Sequence, residues 1–183
     1  EYYLEERYFV AALEFAESHG ADVLTTSLVL YGGYRQDQVD GQTALMTKGM
    51  NIAVGNGVVC LAGGGNFGHD KDPATSKLMI PGDGKGVIAV GAIKNDGLIA
   101  PFSSDGPTVD GRLKPEVLAL GVATATISLA DKAGYGGSFG TSVATPVMAG
   151  AVACLLQVHP EWTVQQLRKA LFHSGDYYRK NGK

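Results

Sequence analysis

Apolar side chains recur every three or four positions in the first part of the chain, a spacing typical of an amphipathic helix. The members of this pattern are Leu4, Tyr8, Ala12, Phe15 and Ala16. Gly20 follows where a helix commonly ends in a left-handed conformation. A short apolar run at residues 23–28 comes next and predicts a strand.

Helix and strand then alternate again. A weaker helix is marked by Leu45, Gly49, Ile52 and Ala53. Residues 58–62 are apolar at odd and even positions alike, as in strands whose two faces are both covered. Short connections between such elements predict a parallel sheet with helical crossovers. The sequence therefore predicts an α/β fold.

The second half of the chain contains two further predicted strands, a loop and two helices. Residues 87–90 and 98–100 predict strands joined by a turn at residues 95–97, and residues 134–137 predict a glycine-rich loop. Residues 142–158 are apolar on nearly every side, which predicts a buried helix. Thr163 and Gln166 form a capping-box pattern for a last helix.

Length and charge exclude several classes of protein. A chain of 183 residues fits one domain, and 15 Lys+Arg against 18 Asp+Glu argue against a nucleic-acid partner or a membrane-surface role. No uninterrupted apolar stretch reaches the length of a membrane span, so none is expected. The two cysteines, Cys60 and Cys154, predict neither a metal cluster nor a disulfide framework. Both are expected to be buried, in apolar surroundings that raise a thiol pKa.

A glycine-rich segment follows the predicted strand at residues 58–62. Residues 63–68 read GGGNFG and match the G-x-G-x-x-G pattern of dinucleotide-binding proteins. That pattern must also open a helix, but the residues that follow are polar and soon reach Pro73. The sequence therefore gives little support to nucleotide binding. The three consecutive glycines still indicate that something requires a backbone without side chains at the end of this strand.

Ser142 stands at the mouth of the long apolar helix. Helix N-termini concentrate unpaired N–H groups and positive potential, which stabilise negative charge beside this hydroxyl. A simple N-cap role for Thr141 or Ser142 is the alternative interpretation. Pro146 would remove the helix hydrogen bond to the Ser142 carbonyl unless the helix begins later.

The segment around Ser142 resembles the nucleophile motif of the subtilisin-like serine proteases, the subtilases. The segments that fall in that family's order are ADVLTTSL at 21–28, GNFG at 65–68, VIAVGA at 87–92, FSSDGP at 102–107, KPE at 114–116, GTSVATPVMAG at 140–150 and HPEWT at 159–163. Ile80 and Pro81 fall where the family often has a cis proline. The resemblance implies a three-layer, mostly parallel sheet with helices on both faces, lacking the family's N-terminal strands.

The resemblance also implies a reaction. Ser142 would attack a peptide carbonyl, and the Asn66 amide with the Ser142 N–H would stabilise the oxyanion. Ser27, Leu28 and Val29 would line the substrate, and Gly63, Gly64 and Gly65 would leave a wall free of side chains where a substrate side chain enters. Backbone at these places can pair with an extended peptide as an added strand.

The acid and base of this family precede the serine by a long way in the chain. His159 lies roughly 25 Å from Ser142 along a helix and His173 lies farther on, while His19 and His69 are expected at exposed positions. Residues 1–183 are therefore interpreted as a partial catalytic domain without the Asp and His segments, and as inactive in isolation. Strand 22–28 would then be an open edge, covered by the missing N-terminal part or by a second copy of the chain.

The resemblance implies peptide or protein substrates, a secreted or cell-envelope location, and no obligatory cofactor, although many relatives hold calcium. Departures from the family pattern at Val29, Phe67 and Phe139 leave one alternative, a non-catalytic scaffold or binding domain.

Overall fold

Four parallel strands form the central sheet. The computed structural model describes residues 2–30, 33–70, 72, 74–128, 133–176 and 179. The strands lie side by side in chain order, β1 (Val23–Thr26), β2 (Val59–Gly63), β3 (Ile88–Ile93) and β4 (Val117–Leu120). β1 pairs with β2 from Val23 opposite Val59 to Thr26 opposite Ala62. This parallel sheet confirms the predicted α/β class.

Helices cover both faces of the sheet. Their bounds are α1 (Tyr2–Ser18), α2 (Leu45–Gly55), α3 (Thr141–Val158) and α4 (Val164–Ser174). β2 is buried along its whole length, and its side chains alternate between two cores. Val59 and Leu61 pack in the core under α3 and α4, whereas Cys60 and Ala62 pack in the core under α1 and α2. The three-layer arrangement is confirmed.

The connections differ from the predicted helical crossovers. Only β1 and β2 are joined through a helix, α2, whereas β2 to β3 and β3 to β4 are joined by loops among the residues described. The predicted strand at residues 98–100 amounts to a single antiparallel bridge between Ile93 and Ile99. The turn before it is closed by the Lys94 N–H, which donates to the Leu98 carbonyl at 2.8 Å.

Residues 134–137 are mostly strand and not the predicted loop. β5 (Thr124–Ile127) and β6 (Tyr135–Ser138) form an antiparallel hairpin just before α3. Glycine has low strand propensity, so the sequence of β6 gives little sign of it. The backbone ladder with β5 forms this strand in spite of its glycines.

The first helix has the predicted period but buries a different face. Leu4, Tyr8 and Phe15 are 51%, 67% and 64% exposed, whereas Leu13 is buried. Glu6 is also buried, because its carboxylate accepts hydrogen bonds from the Tyr34 hydroxyl at 2.6 Å and the Met46 N–H at 3.1 Å. Tyr34 and Met46 lie far along the chain from Glu6, so the apolar spacing within the helix predicts the wrong buried face.

The prediction of a helix buried on every side is wrong for α3. Its buried residues are Thr141, Ala144, Thr145, Ala149 and Val152. Val147 and Val158 are exposed, and so is Cys154, which was expected to be buried. By length and composition α3 is the one helix in the described chain that would suffice to cross a membrane, which the sequence had not predicted. It packs against all four strands of the sheet, as a core helix does.

The last helix begins as its capping box predicts. The Thr163 hydroxyl accepts from the Gln166 N–H at 3.3 Å, and the Gln166 side chain accepts from the Thr163 N–H at 2.9 Å. Leu167 of this helix is fully buried against the sheet.

Candidate active site

Ser142 lies in the first turn of α3, whose N-cap is Gly140. Gly140 has φ 128° and its cap makes no side-chain hydrogen bond. Neither Thr141 nor Ser142 is therefore the N-cap, and that alternative is wrong. Because both residues lie inside the first turn, their backbone N–H groups are among those that an α-helix leaves without an internal partner.

The Asn66 side chain faces this turn from the loop after β2. Its Oδ1 accepts from the Thr141 N–H at 2.8 Å and from the Thr141 hydroxyl at 3.1 Å. A backbone N–H can only donate, so the carboxamide must present its oxygen to Thr141 and its Nδ2 elsewhere. Nδ2 donates to no acceptor among the described residues, which leaves it available to a ligand.

The two predicted oxyanion donors flank one position. The point where a Cβ at Gly140 would lie is 3.2 Å from Asn66 Nδ2 and 3.5 Å from the Ser142 backbone nitrogen. Glycine at this position leaves that space free of a side chain. The fold therefore brings Ser142 and Asn66 together across 76 residues of chain, at the positive end of α3.

Ser27 lies directly after β1 and touches the same turn. Its hydroxyl donates to the Ser142 carbonyl oxygen at 2.7 Å. Three sequence-predicted residues, Ser27, Asn66 and Ser142, thus converge at the carboxyl ends of β1 and β2.

The glycine wall is packed against protein. A Cβ at Gly63 would lie 3.2 Å from the Thr141 hydroxyl, and one at Gly64 would lie 3.3 Å from the Ser104 carbonyl oxygen. Gly65 has φ +113°, and its Cβ would lie 2.7 Å from Met79 Cγ. A side chain at any of these glycines would meet those neighbours, so close packing around the Asn66 loop is one reason for their lack of side chains. Backbone contact with a peptide stays a prediction for all three.

A mostly apolar groove of about 840 Å³ opens beside Asn66. Leu28 and Val29 line it, as the prediction of a substrate-lining segment requires, whereas Ser27 and the three glycines do not. The other lining residues are Glu5, Tyr8, Phe9, Ala12, Leu30, Met46, Phe67 and Met79. Part of the α1 face that stays out of the core therefore forms one side of this groove.

β1 is an edge strand. It pairs with β2 on one side, and no described residue pairs with its other side. An unpaired row of backbone donors and acceptors is a place where another chain segment can add as a strand. What covers this edge stays a prediction.

Three of the histidines, His19, His69 and His159, contact groups other than Ser142. His69 pairs through Nδ1 with the Asp105 carboxylate, whose other oxygen accepts from the Asp70 N–H at 3.1 Å. His159 stacks on Trp162 with ring centroids 3.8 Å apart. His19 Nδ1 lies 2.8 Å from the Phe15 carbonyl oxygen and caps the end of α1.

The KPE segment has a structural role. Lys114 Nζ donates to the Gly84 and Val87 carbonyls at 2.8 and 2.7 Å and to the Glu116 carboxylate at 2.7 Å. Burial lowers the pKa of Lys114, and the charge of Glu116 opposes that shift. Glu116 also accepts from the Ala89 N–H at 2.8 Å, so this buried pair joins β3 to the segment that enters β4.

The described part of the chain contains no group of three or more His, Cys, Asp or Glu side chains that could hold a metal ion. Calcium, which also takes backbone and amide carbonyl oxygens, stays a prediction. Cys60 is buried in β2, and this burial raises the pKa of its thiol to about 12. The peptide bond between Ile80 and Pro81 is cis, as expected.

Two residues hold the Asn66 loop, a role that was not predicted for either of them from the sequence. The buried Thr141 hydroxyl also accepts from the Gly65 N–H at 3.3 Å, and the Ser104 hydroxyl accepts from the Phe67 N–H at 2.9 Å. Both residues lie inside the quoted motifs at 140–150 and 102–107. Their place in these motifs marks both hydroxyls as candidates, but it does not identify their partners.

Comparison with known proteins identifies a family. A model described as the subtilase family of peptidases, Peptidase_S8, matches residues 5–182. Subtilisin E of Bacillus subtilis is 36% identical over 170 residues, which cover 93% of this chain and 40% of the relative. Subtilisin of Bacillus pumilus is also 36% identical, with 93% and 55% covered. The chain thus spans about half, or less, of the length of these relatives.

Solved structures agree with this fold. The self-cleaved protease domain of PatA superimposes with a TM-score of 0.67 at 26% identity, covering 87% of this chain and 55% of that one. The prenylagaramide maturation protease PagA superimposes with a TM-score of 0.65 at 24% identity, covering 90% and 54%. The architecture described above is therefore that of a subtilisin-like protease domain over most of this chain.

Proposed function

Because this chain belongs to the subtilase family, we propose that it supplies the nucleophile and oxyanion part of a serine endopeptidase. The single observation that carries this proposal is the convergence of Asn66 Nδ2 and the Ser142 N–H on the bare space at Gly140. An N-cap or a turn-former would not require a free amide donor beside the N–H groups at the start of a helix. An oxyanion-binding site requires both donors.

The chemistry follows from these positions. The Ser142 hydroxyl attacks the carbonyl carbon of the peptide, and the carbonyl oxygen gains negative charge. Asn66 Nδ2 and the Ser142 N–H donate to that oxygen, aided by the positive end of α3. The amine leaves with the proton that a base has taken from Ser142, and an acyl group remains on Ser142 until water removes it. Thr141 keeps the Asn66 amide in the donating orientation throughout.

The proton of Ser142 needs a base. A serine hydroxyl is a weak nucleophile without one. The contacts recorded for His19, His69 and His159 are with groups other than Ser142. The base and its acid are therefore proposed to come from a further part of the protease, and the isolated chain is proposed to be inactive. In subtilisin, loss of the histidine alone lowers kcat about 10⁶-fold.

Substrates are proposed to be peptides or proteins bound in extended form. Leu28 and Val29 continue from the end of β1 into the apolar groove, so a peptide that pairs with this segment would carry side chains into it. Apolar side chains fit a groove lined mostly by aliphatic and aromatic residues.

The remainder of the protease is proposed to cover the open side of β1 and the exposed face of α3. Among the described residues, β1 pairs with a strand on one side only. Apolar side chains of α3, including Val147 and Val158, are exposed. A second copy of the chain across β1 is the other occupant to be tested. Extracellular action is proposed from the subtilisins among the relatives.

The test is covalent labelling of the full-length protease with a fluorophosphonate, which reacts with activated serines. Wild-type protein should be labelled and should cleave a casein substrate, and Ser142→Ala should do neither. The 183-residue chain alone should be labelled far more slowly. A folded full-length protein without Ser142-dependent labelling would refute the protease proposal and support a non-catalytic scaffold.

A further inference from the structure

The carbonyl oxygen of Ser142 lacks its normal helix donor. In an α-helix this oxygen accepts from the N–H four residues later, and a proline there has no N–H to give. Pro146 lies inside α3 at that position. A helix carbonyl in this situation needs a donor from a side chain or from water.

Ser27 supplies that donor. Its hydroxyl donates to the Ser142 oxygen at 2.7 Å, a normal length for an O–H···O hydrogen bond, across 115 residues of chain. The neighbouring Thr26 behaves differently, since its hydroxyl bonds only locally, to Leu28. The contact is thus particular to Ser27 and is not shared by every hydroxyl at this end of β1.

Two successive residues of α3 are therefore held by the ends of two neighbouring strands. Thr141 is bonded to Asn66 after β2, and Ser142 is bonded to Ser27 after β1. The missing backbone bond would otherwise leave the turn that carries the nucleophile free to widen. The Ser27 hydroxyl donates to the Ser142 carbonyl in place of the missing N–H.

We propose that Ser27 is a positioning residue, whose hydroxyl replaces the backbone donor lost at Pro146 and so fixes Ser142 beside Asn66. This inference rests on the proposed protease function and deepens it. It assigns the Ser27 side chain to the nucleophile turn, apart from the groove that Leu28 and Val29 line. A backbone movement in the segment at residues 27–29 would therefore shift Ser142 through this hydrogen bond.

The test uses the full-length protease and a double-mutant cycle between positions 27 and 146. Ser27→Ala removes the donor, and should lower kcat and the fluorophosphonate labelling rate about 2- to 10-fold with KM within twofold. Ser27→Thr keeps a hydroxyl and should retain most of the activity. Ser27→Ala combined with Pro146→Ala should recover activity, because residue 146 then has an N–H that can donate to Ser142.

Ser138→Ala is the matched control. Ser138 lies close to Ser142 in sequence, but its hydroxyl bonds to Thr126 inside the β5–β6 hairpin at 2.9 Å. This variant should keep wild-type kcat. The Ser27→Ala defect should therefore be specific to the bond with the Ser142 carbonyl.

The outcomes separate the two proposals. Wild-type kcat in Ser27→Ala, a change in KM alone, or no recovery in the folded double variant would each overturn the positioning role. Failure of wild-type protein to be labelled at Ser142 would refute the protease function instead. Thermal unfolding of the wild type, Ser27→Ala, Pro146→Ala and the double variant tests whether the backbone N–H replaces the Ser27 hydroxyl. Non-additive shifts in Tm support this replacement, and additive shifts overturn it.

Discussion

Substituting Asn66 in two ways separates its hold on the fold from its proposed role in catalysis. Asn66→Ala removes both the oxygen that accepts from Thr141 and the free amide donor. Asn66→Asp keeps an oxygen for the Thr141 N–H and hydroxyl, at 2.8 and 3.1 Å in the native side chain, but replaces the Nδ2 donor by a second acceptor. The two variants should therefore differ in stability and agree in loss of activity.

The magnitudes follow from the contacts. Asn66→Ala loses two hydrogen bonds of about 0.5–1.5 kcal/mol each, or about 1–3 kcal/mol in total. This corresponds to a decrease in Tm of about 2–12 °C for a domain of this size. Asn66→Asp retains both bonds and adds a negative charge near the N-terminus of α3, which stabilises by about 0.3–1 kcal/mol. Its Tm should match or exceed that of the wild type at neutral pH.

Activity should fall in both variants. The size is borrowed from subtilisin, in which removal of one oxyanion-hole donor lowers kcat about 10²–10³-fold. Asn66→Asp should fall at least as far, because its carboxylate would repel the developing oxyanion. Differential scanning calorimetry and initial rates on a peptide substrate measure the two effects. Near wild-type kcat in Asn66→Asp, or a Tm below that of Asn66→Ala, would refute the geometry on which the reasoning depends.

Three further predictions concern the cysteines and the core. Iodoacetamide should modify Cys154 but not Cys60 in the folded 183-residue chain, and both after unfolding; adding the rest of the protease should protect Cys154 if that part covers α3. The Cys60 thiol has a folded pKa of about 12 against 9.0 for the unfolded value, so its contribution is present below pH 9 and is lost as the pH rises towards 12. The free energy of unfolding should drop by roughly 1.5 kcal/mol between pH 9 and 10.5, and Cys60→Ala should lack this drop. Leu167→Ala should cost about 2–5 kcal/mol in urea unfolding, because Leu167 is fully buried; a cost below 1 kcal/mol would contradict its place in the core.

Elements whose signals are local could be predicted from the sequence. β2 is apolar at each position and is buried at each position. The last helix starts at its capping box, where donor and acceptor lie three residues apart. In both cases the residues that determine the structure belong to the element itself.

The errors arise where distant residues decide. The buried face of α1 depends on Glu6, whose partners Tyr34 and Met46 lie 28 and 40 residues away. β6 contains two glycines, and it is a strand because β5 pairs with it. The outward face of α3 is as apolar as its inward face, so composition could not distinguish the two sides.

The candidate site was found from its motifs, but the way in which it is held was not. Ser142 and Asn66 were brought together by resemblance, and the fold places both at one spot. The hydroxyls of Thr141, Ser104 and Ser27 bind backbone and amide groups of other segments, and no pattern along the chain reveals such contacts. The glycines at 63–65 were predicted to form a wall beside a substrate side chain, and the structure adds a second reason for them, the tight packing around the Asn66 loop.

The outward apolar face of α3 and the free side of β1 have a practical consequence. A polypeptide with both features should be poorly soluble when produced by itself and should gain solubility when co-produced with the segment that completes its sheet. Under the proposed function the two pieces would behave as a split enzyme, in which cleavage of a reporter peptide appears only on reassembly. Dilution would switch such a pair off, because the base is proposed to lie outside these 183 residues.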